Sequence, residues 1–232
     1  MHISEGVLSG PVLFTGIALA AAGTAIGLKK LDYDQIPQAG ILSASFFVAS
    51  LVHVPVGPSS VHLILNGLVG LILGWGAFPA ILVALTLQAI LFQFGGITTL
   101  GVNTVNMALP AVLCYYLFSR MLHKKNFIAL LAAFACGAFS VFLGVIMVGL
   151  ALFFTEEEFL KVSSLLVVTH IPVMIIEGII TALCVAFLKK VQPTLLPSYS
   201  GEKSDTKPPS PVPAAISNKV NIDKGQGDVG KD

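Results

Sequence analysis

The chain has 232 residues, of which 55% are hydrophobic and 11% charged, with a mean hydropathy of +0.89. Soluble domains carry about 25% charged residues, so water is not the main solvent of this chain. A net charge of +1 offers no electrostatic basis for binding nucleic acid.

The charges are unevenly placed: 15 fall in residues 1–190 and 10 in residues 191–232. This divides the chain into a lipid-embedded body, 1–190, and a polar tail, 191–232, expected to be disordered in the cytoplasm. No secretory leader is evident, because MHISEGVLSG lacks a basic start and a small-residue cleavage site. The expectation is that the mature chain begins at Met1.

In chain order, the apolar runs predict spans at 11–28, 39–56, 61–74, 77–94, 103–122, 128–154 and 163–188. A crossing helix needs about 20 such residues. The third run is short and could be half-buried in protein instead of crossing lipid alone. The expected fold is therefore all-α, a polytopic helix bundle with seven crossings, or six if the short run does not cross.

Lys29–Lys30, Arg120 with Lys124 and Lys125, and Lys189–Lys190 follow the first, fifth and seventh spans. Basic residues favour the cytoplasmic side. Seven crossings with the N-terminus outside put all three clusters there. The outer side then holds the N-terminus, the turn at 55–60, the loop at 95–102 and the acidic run 156–158.

Gly23 and Gly27, Gly67, Gly70 and Gly74, and Ser140 and Gly144 read as close-packing helix faces. Cys114, Cys136 and Cys184 are isolated in apolar runs and read as small packed thiols. GQGDVGKD at 225–232 mimics a phosphate loop, but it has Asp in place of the hydroxyl residue and no helix after it. The chain is expected to bind no nucleotide.

Five histidines remain. His123, beside Lys124 and Lys125, reads as a solvated residue at a helix end. His170 and Glu177 share one face of the last span, seven residues apart. They read first as a polar pair bonded to neighbouring helices, with a functional role as the alternative. A zinc hydrolase built on them is disfavoured, since no HExxH is present.

His2, His53 and His62 fall on the outer side. A histidine in second position can chelate through the terminal amine of Met1, its own amide nitrogen and its ring. A second imidazole would complete a planar nitrogen set suited to nickel(II) or copper(II), which cobalt(II) can also occupy. His62 is the natural fourth donor and His53 the reserve.

MHISEGVLSG, VPVGPSSVHLILNGLVG, FGGITTLGVNTVNMALP and HIPVMIIEG together resemble the CbiM/NikM family, substrate-binding membrane subunits of energy-coupling-factor transporters for cobalt and nickel. The resemblance covers about residues 1–190. It implies a seven-helix body in the inner (plasma) membrane whose N-terminal segment inserts from outside. The metal would be held by Met1, His2 and His62. Glu5 and the 95–107 segment, with Asn103, Asn106 and Met107, would support that insertion. Cobalt(II) or nickel(II) would be the transported substrate, and the resemblance leans to cobalt, for cobalamin biosynthesis. The implied partners are a transmembrane coupling subunit, ATP-binding subunits and a small accessory membrane subunit. A self-sufficient secondary carrier or channel is the rival reading; it would call for charged residues along several spans or inverted repeats.

Overall fold

The computed structural model describes residues 2–56, 59–155 and 160–197, and for 53–56, 59–61 and 160–166 the backbone alone. Seven α-helices are present among them: α1 (Gly10–Lys30), α2 (Ile36–Ala49), α3 (Asn66–Leu73), α4 (Ala77–Phe92), α5 (Leu100–Phe118), α6 (Asn126–Phe153) and α7 (Leu160–Val191). Between α2 and α3 lies a two-stranded hairpin, β1 (His53–Val56) and β2 (Ser59–His62). The fold is an all-α membrane bundle with this one small interruption. By length and composition, five helical stretches among the described residues suffice to cross a bilayer: Gly10–Lys30, Asn66–Phe92 (which takes in α3, the turn after it and α4), Leu100–His123, Asn126–Phe153 and Val167–Val191.

The second and third stretches differ most from their sequence-based bounds. α2 ends at Ala49, and the expected span beyond it becomes strand. Pro55 has no N–H for a helical bond, and the flanking valines favour extended backbone. The third helix begins only at Asn66, after Leu65 turns through a left-handed conformation (φ +56°). It then runs just 8 residues, every one buried.

Gly74 (φ +55°, ψ −120°) ends α3, and the turn Gly74–Gly76 reverses the chain into α4. The packing shows the reversal. A Cβ on Gly67 would meet Ser140, one on Gly70 would meet Ala111, and one on Gly74 would meet Tyr115. α3 therefore descends along α5. α4 climbs back, with Trp75 and Pro79 against Gly27, Phe78 against Gly23, and Phe94 beside His2. Consequently α3 starts level with the middle of α5 and α6 and is enclosed by protein. Non-helical backbone at such a level is tolerated only when so enclosed.

The basic clusters gather at one end. Lys30 lies over Trp75 at 5.2 Å, and Trp75 Nε1 donates to Tyr116 Oη at 2.9 Å. Lys189 Nζ donates to the carbonyls of Leu122 (3.0 Å) and Lys124 (3.5 Å). The chain after α7 also docks at this end: Leu196 is buried, Gln38 Nε2 donates to Leu195 O, and His123 Nε2 donates to Pro197 O. Most of the expected tail, 198–232, lies outside the described residues, as do the 225–232 motif and the acidic run 156–158.

Candidate metal-capture site

The opposite end is built around the first nine residues. Ile3 and Leu8 are buried in a small apolar cluster with Val102, Val148 and Leu152, which pins the segment against α5 and α6. Polar contacts then fix its register. Asn103 clamps one residue from both sides: Ile3 N–H donates to Asn103 Oδ1 (3.0 Å) and Asn103 Nδ2 donates to Ile3 O (3.1 Å). Ser9 N–H donates to Thr155 Oγ1 at 3.4 Å.

Glu5 forms the second clamp. Its Oε1 accepts from Thr98 N–H (3.1 Å) and Thr98 Oγ1 (3.2 Å), while Glu5 N–H donates to Gly95 O (3.2 Å). These bonds, the Thr98 amide first, hold the Glu5 carboxyl below its ordinary range against an opposing desolvation. Gly95 (φ +79°) and Gly96 (φ +136°) supply the backbone that makes this approach possible; a Cβ on Gly96 would strike the Glu5 side chain.

The result is the placement of His2. Its ring stacks on that of His62 with centroids 4.8 Å apart and planes 19° from parallel, and Phe94 lies on it at 6.1 Å. Both His2 ring nitrogens are buried with no hydrogen-bond partner among the described residues. Burial first, then the positive amino terminus and His62, push the His2 pKa down to about 2. The ring is therefore neutral across physiological pH, the state in which an imidazole binds a metal. His62 donates Nδ1–H to Leu63 O at 2.9 Å, which sets Nε2 as the lone-pair nitrogen.

Met1 lies outside the described residues. His53 is placed only by its backbone, opposite His62 in the hairpin register. Asn106 is 2% exposed, and its amide nitrogen has no partner among the described residues. It lines an apolar cavity of about 500 Å³ between α1, α5 and α6 with Pro11, Val102 and Met147. Met107 is packed in the main core, and its carbonyl accepts from Asn66 Nδ2 at 3.4 Å.

His170 and Glu177 are buried in α7. The Glu177 carboxyl accepts the backbone N–H groups of Ile64 and Leu65. Asn66 completes this junction: its Oδ1 accepts from Ser140 Oγ (3.0 Å) and Gly67 N–H (2.9 Å). Sequence reasoning did not single out Asn66, Thr98 or Phe94. Their one signal was proximity to glycine-rich turns, which says nothing about their partners.

No group of three or more His, Cys, Asp or Glu side chains converges among the described residues. Among the described residues, the two imidazoles are the side-chain donors that meet at this end.

The sequence matches, over residues 2–195, the family described as the cobalt uptake substrate-specific transmembrane region, CbiM. The chain belongs to the CbiM family. A Haemophilus influenzae protein named for metal transport is 45% identical over 84% of this chain and 97% of its own length. An Archaeoglobus fulgidus protein named as a fused nickel transport protein, NikMN, is 31% identical over 84% of this chain and 68% of its own. A crystal structure titled as a truncated transition metal transporter superposes with a TM-score of 0.67. It is 29% identical and covers 82% of this chain and 99% of that one. This CbiM-family chain is thus a multi-pass membrane protein of a metal-transport family, and that family is not a class of enzymes.

Proposed function

We propose that this CbiM-family protein is the substrate-capture subunit of an ATP-driven energy-coupling-factor importer of cobalt(II) or nickel(II). The observation that carries the reading is the meeting of His2 and His62, rings stacked at 4.8 Å, at the end of a clamped N-terminal segment. The ion is held by the Met1 amine, the amide and ring of His2, and the ring of His62. His62 keeps its bond to Leu63 O, with Nε2 free for the ion, and rotation of the His2 ring about its side-chain torsions brings a ring nitrogen to the same ion. Asn103 and Glu5 hold the segment in register. The amide of His2 loses its proton on binding, so affinity falls in acid.

The N-terminus faces outward and the basic end faces the cytoplasm of the inner membrane, giving seven crossings with the enclosed α3 counted as one. ATP hydrolysis resides on separate chains, coupled through a transmembrane partner, and a small accessory membrane subunit completes the complex. The fused architecture named for the A. fulgidus relative supports a further membrane component. The family description, which names cobalt uptake, supports cobalt as the cargo, and cobalamin biosynthesis is the use proposed for it.

The test is a titration of the purified protein with Ni²⁺ and with Co²⁺ under non-oxidising conditions. One ion should bind per chain; His2→Ala or a one-residue N-terminal extension should abolish binding where the parent saturates, and His62→Ala should leave a weaker site on the remaining donors, measurable at higher metal concentration. Unchanged affinity in the extended chain would sink the amine-based site. Uptake into ATP-free vesicles by this chain alone would favour a secondary carrier.

A further inference from the structure

Glu177 is 0% exposed in α7, and its carboxyl points at the start of α3. There its oxygens accept the N–H of Ile64 and, at 3.0 Å, the N–H of Leu65. The N–H of Ile64 and the carbonyl of Leu63 are the two ends of one planar peptide group. That same carbonyl accepts the Nδ1–H of His62 at 2.9 Å. A continuous relay therefore runs from carboxyl to peptide group to imidazole.

We propose that Glu177 is a positioning residue for metal capture, acting on His62 through the Leu63–Ile64 peptide group. The inference rests on His62 being a ligand, as proposed above. Two effects follow from the geometry. By holding the N–H, the carboxyl fixes the plane of the peptide and thus the direction of the carbonyl on which His62 leans. By polarising the peptide, it makes that carbonyl a stronger acceptor, which raises the basicity of His62 Nε2. A metal-bound histidine is commonly oriented by a carboxylate on its other nitrogen; here a peptide group stands between the two.

The surroundings serve the same end. A Cβ on Gly137 would meet the Glu177 backbone, so α6 packs directly against this turn of α7. Leu65 is held left-handed at φ +56°, a conformation that an L-residue with a large side chain rarely keeps unaided. Asn66 and Ser140 secure the next residue. The carboxyl is thus set in rigid packing and directed at one short segment.

The experiment is a Ni²⁺ titration of the full chain, following affinity and the ligand-field absorption band, in Glu177→Ala, Glu177→Gln, His62→Ala and the His62→Ala/Glu177→Ala double variant. Glu177→Ala should weaken binding about 10- to 100-fold and shift the band. Glu177→Gln keeps an acceptor without the charge and should lose a few-fold, with a smaller shift. In the His62→Ala background, Glu177→Ala should add no more than about a twofold change. An equal further loss there would show general damage and overturn the proposal. Parental affinity and band in Glu177→Ala, or in Glu177→Gln if the alanine variant does not fold, would overturn it as well. Parental binding by His62→Ala alone would instead remove the capture site itself, and this inference with it.

Discussion

The two clamps on the N-terminal segment differ in kind. Asn103 is 2% exposed and both donates to and accepts from Ile3, so its loss strands two buried backbone groups. We expect Asn103→Ala to lower Ni²⁺ affinity about 10- to 100-fold, measured by calorimetric titration; parental affinity would show that Ile3 is held by its apolar contacts alone. Glu5 is a surface clamp, and its carboxyl is held below its usual range by Thr98. Its support is present at neutral pH and lost as pH falls through the depressed value. The sign for His2 follows from its lowered pKa, about 2 against 6.5. Above pH 6.5 the ring is neutral whether the segment is inserted or released. Below it, the released ring gains a proton that the inserted ring refuses, so acid favours release. The protection factors of residues 2–9 in metal-free protein, exchange rates divided into the intrinsic rate at each pH, should therefore fall between pH 7 and pH 5, and His2→Phe should remove the His2 share of that change.

At the scale of elements, α3 is the unusual piece. Eight helical residues are too few to cross a bilayer by themselves, and α3 completes its crossing only together with the segment before it, which brings His62 against His2. Glycines make this packing possible, because a Cβ on Gly70 would collide with the backbone of Ala111. Gly70→Val should cost on the order of 1–3 kcal/mol through overpacking, read as a lower Tm in detergent. A variant as stable as the parent would mean that α3 can shift along α5. The small-residue spacing was legible as a packing face. So was the reversal at Gly74, which falls between the runs read as separate spans at 61–74 and 77–94; the late start of α3 at Asn66 was not, since the apolar run before it carries no mark of strand pairing.

Over the whole molecule, charge and chemistry separate to opposite ends. Lys30, Lys124 and Lys189 share one end with the docked chain after α7, and His2, Glu5 and Asn103 share the other. With this orientation in the membrane, single cysteines at Lys124 and at Ser9, placed in a cysteine-free background, should be labelled from the cytoplasmic and outer sides respectively. Labelling in the reverse sense would refute the outward N-terminus.

Composition alone determined that this chain lives in lipid, because transfer of so many apolar side chains from water depends on residue type and not on arrangement. The order of basic clusters likewise fixed which ends belong together. His2 and His62 were legible as candidate ligands, since the chelating power of a second-position histidine is local covalent chemistry. What only the tertiary structure decided is how they meet. The Asn103 clamp on Ile3, the Glu5 contact with Thr98 and the Glu177 bonds to Ile64 and Leu65 all join segments far apart in sequence. Hydrogen bonds to the backbone depend on where a peptide group lies and not on which side chain it carries. Nothing in the sequence could therefore mark Ile64 as the partner of Glu177. The folded bundle alone brings that peptide to that carboxyl.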